Sequence, residues 1–227
     1  MTHEQRARRP SPPPMRRVAK SGGGPRRRRR DRVPPPRYRG RAGRVKTVEK
    51  VRRSVSRTIR ECVAEGTPAA EMITAMRGVD RLGVIFLRAG EPEDRRLTLM
   101  EAGMFLLAVG ADTAIYGADR FLGFDLDEET PDVRVRLRED PEAVEAIVTA
   151  VVTAKEFRGY ARPYHHGHAG VTFADEIELP GYEVAGAVPD HLRWILEHRP
   201  DLPAPPDQCL KFLSARGHGI LLRRQGS

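Results

Sequence analysis

Ala146-Ile-Val-Thr-Ala-Val-Val-Thr-Ala154 is the stretch on which the fold turns. It follows Asp140-Pro141-Glu142, a good helix opening, yet six of the seven residues from 147 to 153 are β-branched. Branching at Cβ restricts χ1 in a helix and packs well on a pleated surface. The stretch therefore predicts a strand from about Glu145 to Ala154. Apolar residues or threonine occupy both of its faces, which places it inside a sheet.

Downstream, Tyr160-Ala-Arg-Pro-Tyr164 pairs with Val171-Thr-Phe-Ala-Asp175 as a predicted hairpin, with His165-His-Gly-His-Ala-Gly170 as its loop. Gly167 and Gly170 supply the positive φ angles such a turn uses. Side chains at i and i+2 of a strand share a face, so His166 and His168 point together in this reading. Neutral imidazole is a common metal ligand and a carboxylate often completes the set. Asp175 and Glu176 are near in sequence, and Asp119 or Asp125 come from the neighbouring strand. A metal-activated water held by His166, His168 and Asp175 would make the protein a hydrolase. The plainer reading is an exposed loop whose histidines only titrate. A JAMM-type metalloprotease motif does not fit, because its serine is absent and the final aspartate arrives too early. His-Glu-x-x-His, a Walker P-loop, Gly-x-Ser-x-Gly and a Gly-x-Gly-x-x-Gly placed after a strand are all missing.

Upstream, Val133-Arg-Val-Arg-Leu137 alternates as a half-exposed strand does. Asp125 to Pro131 is an acidic loop without the central glycine and terminal glutamate of a calcium-binding EF-hand. Asp112 to Phe124 reads as a strand interrupted by Gly117 and Gly123. Thr98 and Glu101 form a capping box for a helix ending at Gly110, apolar nearly all round, with Met100 and Met104 as packing residues. Leu82 to Leu87 is a short apolar run that fits either a strand or a helix end. Thr67-Pro68 reads as an N-cap and first helical residue for a helix through Met76, stopped by Gly78. That helix has few side chains suited to reading base edges, which argues against a helix-turn-helix. From Val45 to about Glu65, Val45, Val48, Val51, Val55, Ile59 and Val63 mark the apolar stripe of a first helix. Arg52, Arg53, Arg57 and Arg60 are placed off that stripe.

At the other end, Tyr182 to Ala185 reads as a last short strand. Pro189 to His198 is an amphipathic helix with Leu192, Ile195 and Leu196 inward and Trp194 at a core edge. A final helix falls near Asp207 to Ala215. Together these elements predict an α+β domain over about residues 45–227: a mostly antiparallel sheet packed with N- and C-terminal helices, preceded by a disordered basic tail over 1–44.

The order of helix, Ala111-Asp112, strand, acidic loop, Arg-x-x-Glu-Asp-Pro141, Glu145-Ala-Ile-Val148 and an Arg162-Pro-Tyr164 hairpin resembles uncharacterised conserved proteins of actinobacteria and their phages. The resemblance covers roughly residues 97–175. It implies the strand at 145–154 and, since that group carries no assigned activity, no function.

Charge divides the chain. Residues 1–46 carry 17 Lys and Arg against Glu4 and Asp31, a net of +15. The remainder holds 40 − 17 = 23 basic and 31 − 2 = 29 acidic groups, a net of −6. Arginine outnumbers lysine 35 to 5. The codon bias of a GC-rich genome accounts for that ratio but not for the concentration of charge at one end. Pro12-Pro-Pro14, Gly22-Gly-Gly24, Arg26 to Arg30 and Pro34-Pro-Pro36 leave too little apolar surface to offset chain entropy. Arg26, Arg27, Arg28, Arg29, Arg30, Arg37, Arg39 and Arg41 are the candidate contacts to DNA or RNA phosphates. Tyr38, the one aromatic there, offers little base stacking. An extension without function, with Met15 as a second start, is the alternative.

Cys62 and Cys209 lie far apart and outside any CxxC spacing, which argues against a disulfide framework or a cysteine zinc site. No apolar run reaches the ~20 residues that span a bilayer. The expectation is a cytoplasmic protein without membrane contact. Cofactor and oligomeric state stay open. Function divides three ways: a non-enzymatic accessory protein, with a mobile element as candidate source, binding nucleic acid through its tail; the metal-dependent hydrolase; or a structural or partner-binding module.

Overall fold

The valine and isoleucine runs of this chain assemble into a sheet covered on both faces by helices. The structure, a computed structural model, describes residues 41–88, 94–122, 144–179 and 187–223. The elements are α1 (Arg41–Ala64), β1 (Met72–Arg77), β2 (Asp80–Phe86), α2 (Arg95–Val109), β3 (Thr113–Leu122), β4 (Val144–Thr153), β5 (Phe157–Gly167), β6 (Gly170–Phe173), β7 (Ile177–Leu179), α3 (Ala187–His198), α4 (Pro206–Ala215) and β8 (Gly219–Leu222). The fold is α+β, and every strand pairing among the described residues is antiparallel. The strand order is β6-β5-β4-β3-β1-β2-β8, with β7 beside β5. The tail to residue 40, the acidic loop and the predicted strands at 133–137 and 182–185 lie outside the described residues.

β4 is the buried interior strand that its β-branched run predicts. It pairs with β3 from Thr113↔Thr153 to Leu122↔Val144 and with β5 from Ala146↔Pro163 to Val152↔Phe157. Alternation then sorts the side chains into two cores. Ile73, Ala75, Ile85, Ala114, Tyr116, Ala150 and Val152 face α2, α3 and α4. Met72, Met76, Val84, Ile115, Ile147, Val151 and Tyr164 face α1. Gly117 lets α1 approach the sheet: a Cβ there would lie 2.4 Å from Val55 Cγ1 and 2.8 Å from Ile59 Cδ1.

Several local expectations change. The segment predicted as a helix from Thr67 is irregular through Glu71 and then becomes β1. Thr67-Pro68 is a genuine local capping signal, but β1 gains two ladders, to β2 and β3, which a helix could not make. Gly78, with φ +61°, is the first residue of the two-residue β1–β2 turn, the position where hairpin turns favour glycine. The ambiguous run at 82–87 resolves as β2. The Thr98–Glu101 capping box does not form. α2 begins at Arg95, Thr98 Oγ1 donates to the Asp94 carbonyl at 3.1 Å, and Glu101 is buried against other elements. Met100 is exposed while Met104 packs on the core. Trp194 is exposed and stacks on His198, its ring centroid 4.8 Å away.

α1 starts four residues before the predicted helix, so Arg41 to Arg44 belong to it and not to the tail. Its buried stripe is Val48, Arg52, Val55, Ile59 and Val63, spaced 4-3-4-4, the 3.6-residue period. Val45 is exposed instead. Arg52, expected on the outer surface, therefore faces the sheet.

Candidate nucleic-acid interface

Helical spacing gives α1 a second stripe, made of cations. Lys46, Lys50, Arg53 and Arg57 follow at steps of 4, 3 and 4, and all four are exposed. At ~1.5 Å rise per residue they span ~16 Å along one flank of the helix. This flank lines a groove of about 720 Å³, and Arg81 at the start of β2 lines it too. Glu49, Val51 and Ser54 complete the lining. A smaller cavity of about 80 Å³ shares Val51, Ser54 and Arg81 and is lined also by Val55, Thr58, Met72, Thr74, Val84 and Phe86. The groove's own lining is mostly cationic, with Val51 its one apolar residue.

Carboxylates do not cancel this charge. Glu49 is the one acid in the groove and is already divided between Arg52 and Arg53. Burial raises its pKa, but hydrogen bonds and charge from Arg52 and Arg53 outweigh that and hold the carboxyl below its ordinary range. Arg57 meets Glu61 only at 3.9 Å, both side chains exposed. Pairs of that kind contribute little and exchange partners readily.

Beneath this stripe Arg52 anchors the helix. It is 1% exposed. Its Nε and Nη2 donate to Glu49 at 3.0 and 2.6 Å, Nη1 to Thr149 Oγ1 at 3.0 Å, and Nη2 also to Glu176 Oε1 at 2.6 Å. The guanidinium lies over the Tyr160 ring, 3.8 Å from its centroid. Desolvation works against the buried cation, yet Glu49 and Glu176 more than offset it and push its pKa upward. Arg44 ties the N-terminal turn of α1 to Asp112 and Thr113 at 2.9 and 3.1 Å. Of the predicted tail contacts, Arg26 to Arg30, Arg37 and Arg39 lie outside the described residues, and of Arg41 only the backbone, which opens α1, is described.

The histidine hairpin is tighter than predicted. β5 runs on to Gly167, so His165 and His166 pair with Thr172 and Val171 in the ladder and His168 falls in the turn. The i, i+2 alternation that was to align His166 with His168 ends before it reaches His168. Asp175 sits in the link between β6 and β7 and is exposed. His166 instead faces Glu145 at 3.5 Å, and its ring packs edge-on against Tyr164. Tyr164 donates to Asp119 Oδ1 at 2.7 Å; burial first, and then that carboxylate, push its phenol above the ordinary range. Among the described residues no three His, Cys, Asp or Glu side chains converge as a metal site. The set His166, His168 and Asp175 is not assembled.

No family model, curated protein or solved structure matches this chain.

Two further polar clusters lie on the opposite face of the sheet. Glu71 accepts from Arg95 at 2.6 and 2.7 Å and pairs with Arg120 at 2.7 Å. Arg120 also donates to the Tyr116 hydroxyl, whose pKa burial and the Glu71 charge push up to about 12. Glu101, His218 and Arg216 form the second. In both clusters the charges are paired, with Tyr116, Glu101 and His218 buried and the arginines partly exposed, and they pin β1, β3, α2 and the C-terminal segment together. Sequence reasoning missed Arg81 and the groove, because β2 and α1 meet only in three dimensions. The lysine and arginine spacing on α1 was the available signal.

Proposed function

We propose that the protein is a non-enzymatic, cytoplasmic accessory protein, with a mobile element as candidate source, that binds nucleic acid without sequence preference. Contact starts in the basic N-terminal tail and continues onto α1. The observation that supports this reading most is the exposed Lys46–Lys50–Arg53–Arg57 stripe, which carries the positive charge of residues 1–44 onto a body that is otherwise net acidic. Phosphate neutralisation by Lys and Arg releases counterions and is indifferent to base sequence. Among the described residues no helix is long and apolar enough to cross a membrane.

Titration of the full chain against labelled oligonucleotides of unrelated sequence tests the reading. Affinities are expected to agree within roughly threefold across sequences, as backbone contacts dictate. Replacing Arg26 to Arg30 by glutamine in the full chain removes up to five phosphate contacts. The slope of log affinity against log salt then loses up to ~4.5 on duplex DNA. Absence of binding at low salt, or an unchanged slope in the variant, contradicts the proposal.

A further inference from the structure

We infer that two copies of this chain join edge to edge, β8 pairing antiparallel with β8 across a two-fold axis at Leu221. β8 ends the sheet, and among the described residues no strand pairs with its outer side. Its ladder to β2 shows which main-chain groups are free. Arg223 N–H donates to the Leu82 carbonyl, two residues on from the Val84↔Leu221 pair. Antiparallel residues alternate between hydrogen-bonded and non-hydrogen-bonded pairs. Gly219, Leu221 and Arg223 therefore turn their main-chain groups to β2, and Ile220 and Leu222 turn theirs outward.

An open edge is a template for another strand unless charge, proline or a bulge blocks it. Gly219-Ile-Leu-Leu222 has none of these, and Leu221 and Leu222 are 61% and 50% exposed. Arg223, just beyond, is drawn back to Asp80 at 3.3 Å. The opposite edge is guarded: β7 holds Glu178, and Asp175 and Glu176 precede it.

A second copy suits this edge better than an ordinary extended peptide. Alternation puts Leu221 beside Val84 on the α1 face, and Ile220 and Leu222 on the other. The partner strand must be apolar on both faces, and β8 is itself such a strand. The free groups also select the register. With Leu221 on the axis, Ile220 of each copy pairs with Leu222 of the other, which makes four main-chain hydrogen bonds. Leu221 then meets its counterpart in the closer, non-hydrogen-bonded kind of pair, Cβ atoms ~4.5–5.5 Å apart. Centring on Ile220 would call on His218, whose N–H already goes to the Leu213 carbonyl at 3.2 Å. Centring on Leu222 would set Leu221 against Arg223. Four residues a side keep the contact below ~1,200 Å², the range of weak association.

Sedimentation equilibrium of the full chain, in high salt and free of nucleic acid, tests the pairing. Mass is expected to rise from one chain toward two as concentration increases. Leu222→Pro removes an outward N–H and leaves the β2 ladder alone, while Leu221→Lys sets like charges on the axis. Each should weaken association at least ~10-fold without lowering the melting temperature of the dilute chain. Cysteines report the register even where a variant folds poorly. Under mild oxidation Leu221→Cys should give a covalent dimer above the parent's background, because non-hydrogen-bonded pairs match disulfide Cα separations. Leu222→Cys, two ladder steps from the axis, should not.

A single chain at every concentration overturns the inference. A dimer that persists in both Leu222→Pro and Leu221→Lys overturns it too, and moves the contact elsewhere, for example to the exposed Trp194 and Met100 on the helical face. Crosslinking at 222 but not at 221 refutes the two-fold register.

Discussion

Replacement of Arg52 by alanine is expected to destabilise the folded body by about 3–5 kcal/mol, the loss typical of removing one partner from a buried ion pair. The pair's own attraction is the smaller part. The guanidinium is 1% exposed and serves Glu49, Glu176, Thr149 and the Tyr160 ring at once. Its removal leaves Glu176, half-buried, without its 2.6 Å donor and leaves a void between α1 and β4. Lysine should recover little, because a single ammonium cannot match a planar fork that bonds Glu49 through both Nε and Nη2. Arg53→Ala, one residue on and exposed, should change stability by less than ~0.5 kcal/mol. Denaturant unfolding of the three variants separates these outcomes; equal effects at 52 and 53 would mean that Arg52 does not anchor the helix. The anchor bears on the proposed function, because it holds against the sheet the helix that carries the cation stripe.

Glu101→Ala is expected to cost about 2–3 kcal/mol, since a buried donor loses its acceptor. The Arg88 backbone N–H donates to His218 Nδ1 at 3.1 Å, so Nε2 carries the hydrogen it gives to Glu101 Oε2 at 2.7 Å. Arg216 Nε donates to the other oxygen at 2.8 Å. This cluster joins α2 to the link between α4 and β8 and closes the C-terminal end of the domain. Burial raises the Glu101 pKa, but hydrogen bonds from His218 and Arg216 exceed that effect and leave it below the ordinary carboxylate value. A depressed folded pKa gives stability that is present above the unfolded value, near 4.5, and lost as pH falls through the folded one. Glu71 and Glu49 are lowered in the same direction. The melting temperature of the parent should therefore drop steeply below pH ~4, with a shallower drop in Glu101→Gln. Superimposable pH profiles for the two would show that Glu101 contributes nothing to the acid limit.

What the sequence displays plainly is whatever is decided locally. Six β-branched residues in seven made β4 legible against a helix-opening signal, because a strand with two apolar faces has one place to go. The valine stripe announced α1, and Leu192, Ile195 and Leu196 announced the buried face of α3. β1 was not legible: its capping-like Thr67-Pro68 is local, while the β3 ladder that fixes it is non-local. β8 was equally hidden, four residues long and paired with β2 at the far end of the chain. Arg52 was misplaced because Val45 and Val51 offered a second, competing stripe. The basic charge of the candidate interface was visible as composition, but Arg81 joins it only once the β1–β2 hairpin has folded beside α1. The histidines failed as a ligand set for a geometric reason, a hairpin whose ladder runs three residues past Tyr164, to Gly167.

The salt dependence of nucleic-acid binding by the full chain tests the central claim most directly. Engagement of about eight of the cations in the tail and on α1 gives a slope of log affinity against log salt near −7 on duplex DNA and near −5.5 on a single strand. A slope shallower than about −2, or affinity that survives high salt, would contradict an interface built on phosphate contacts.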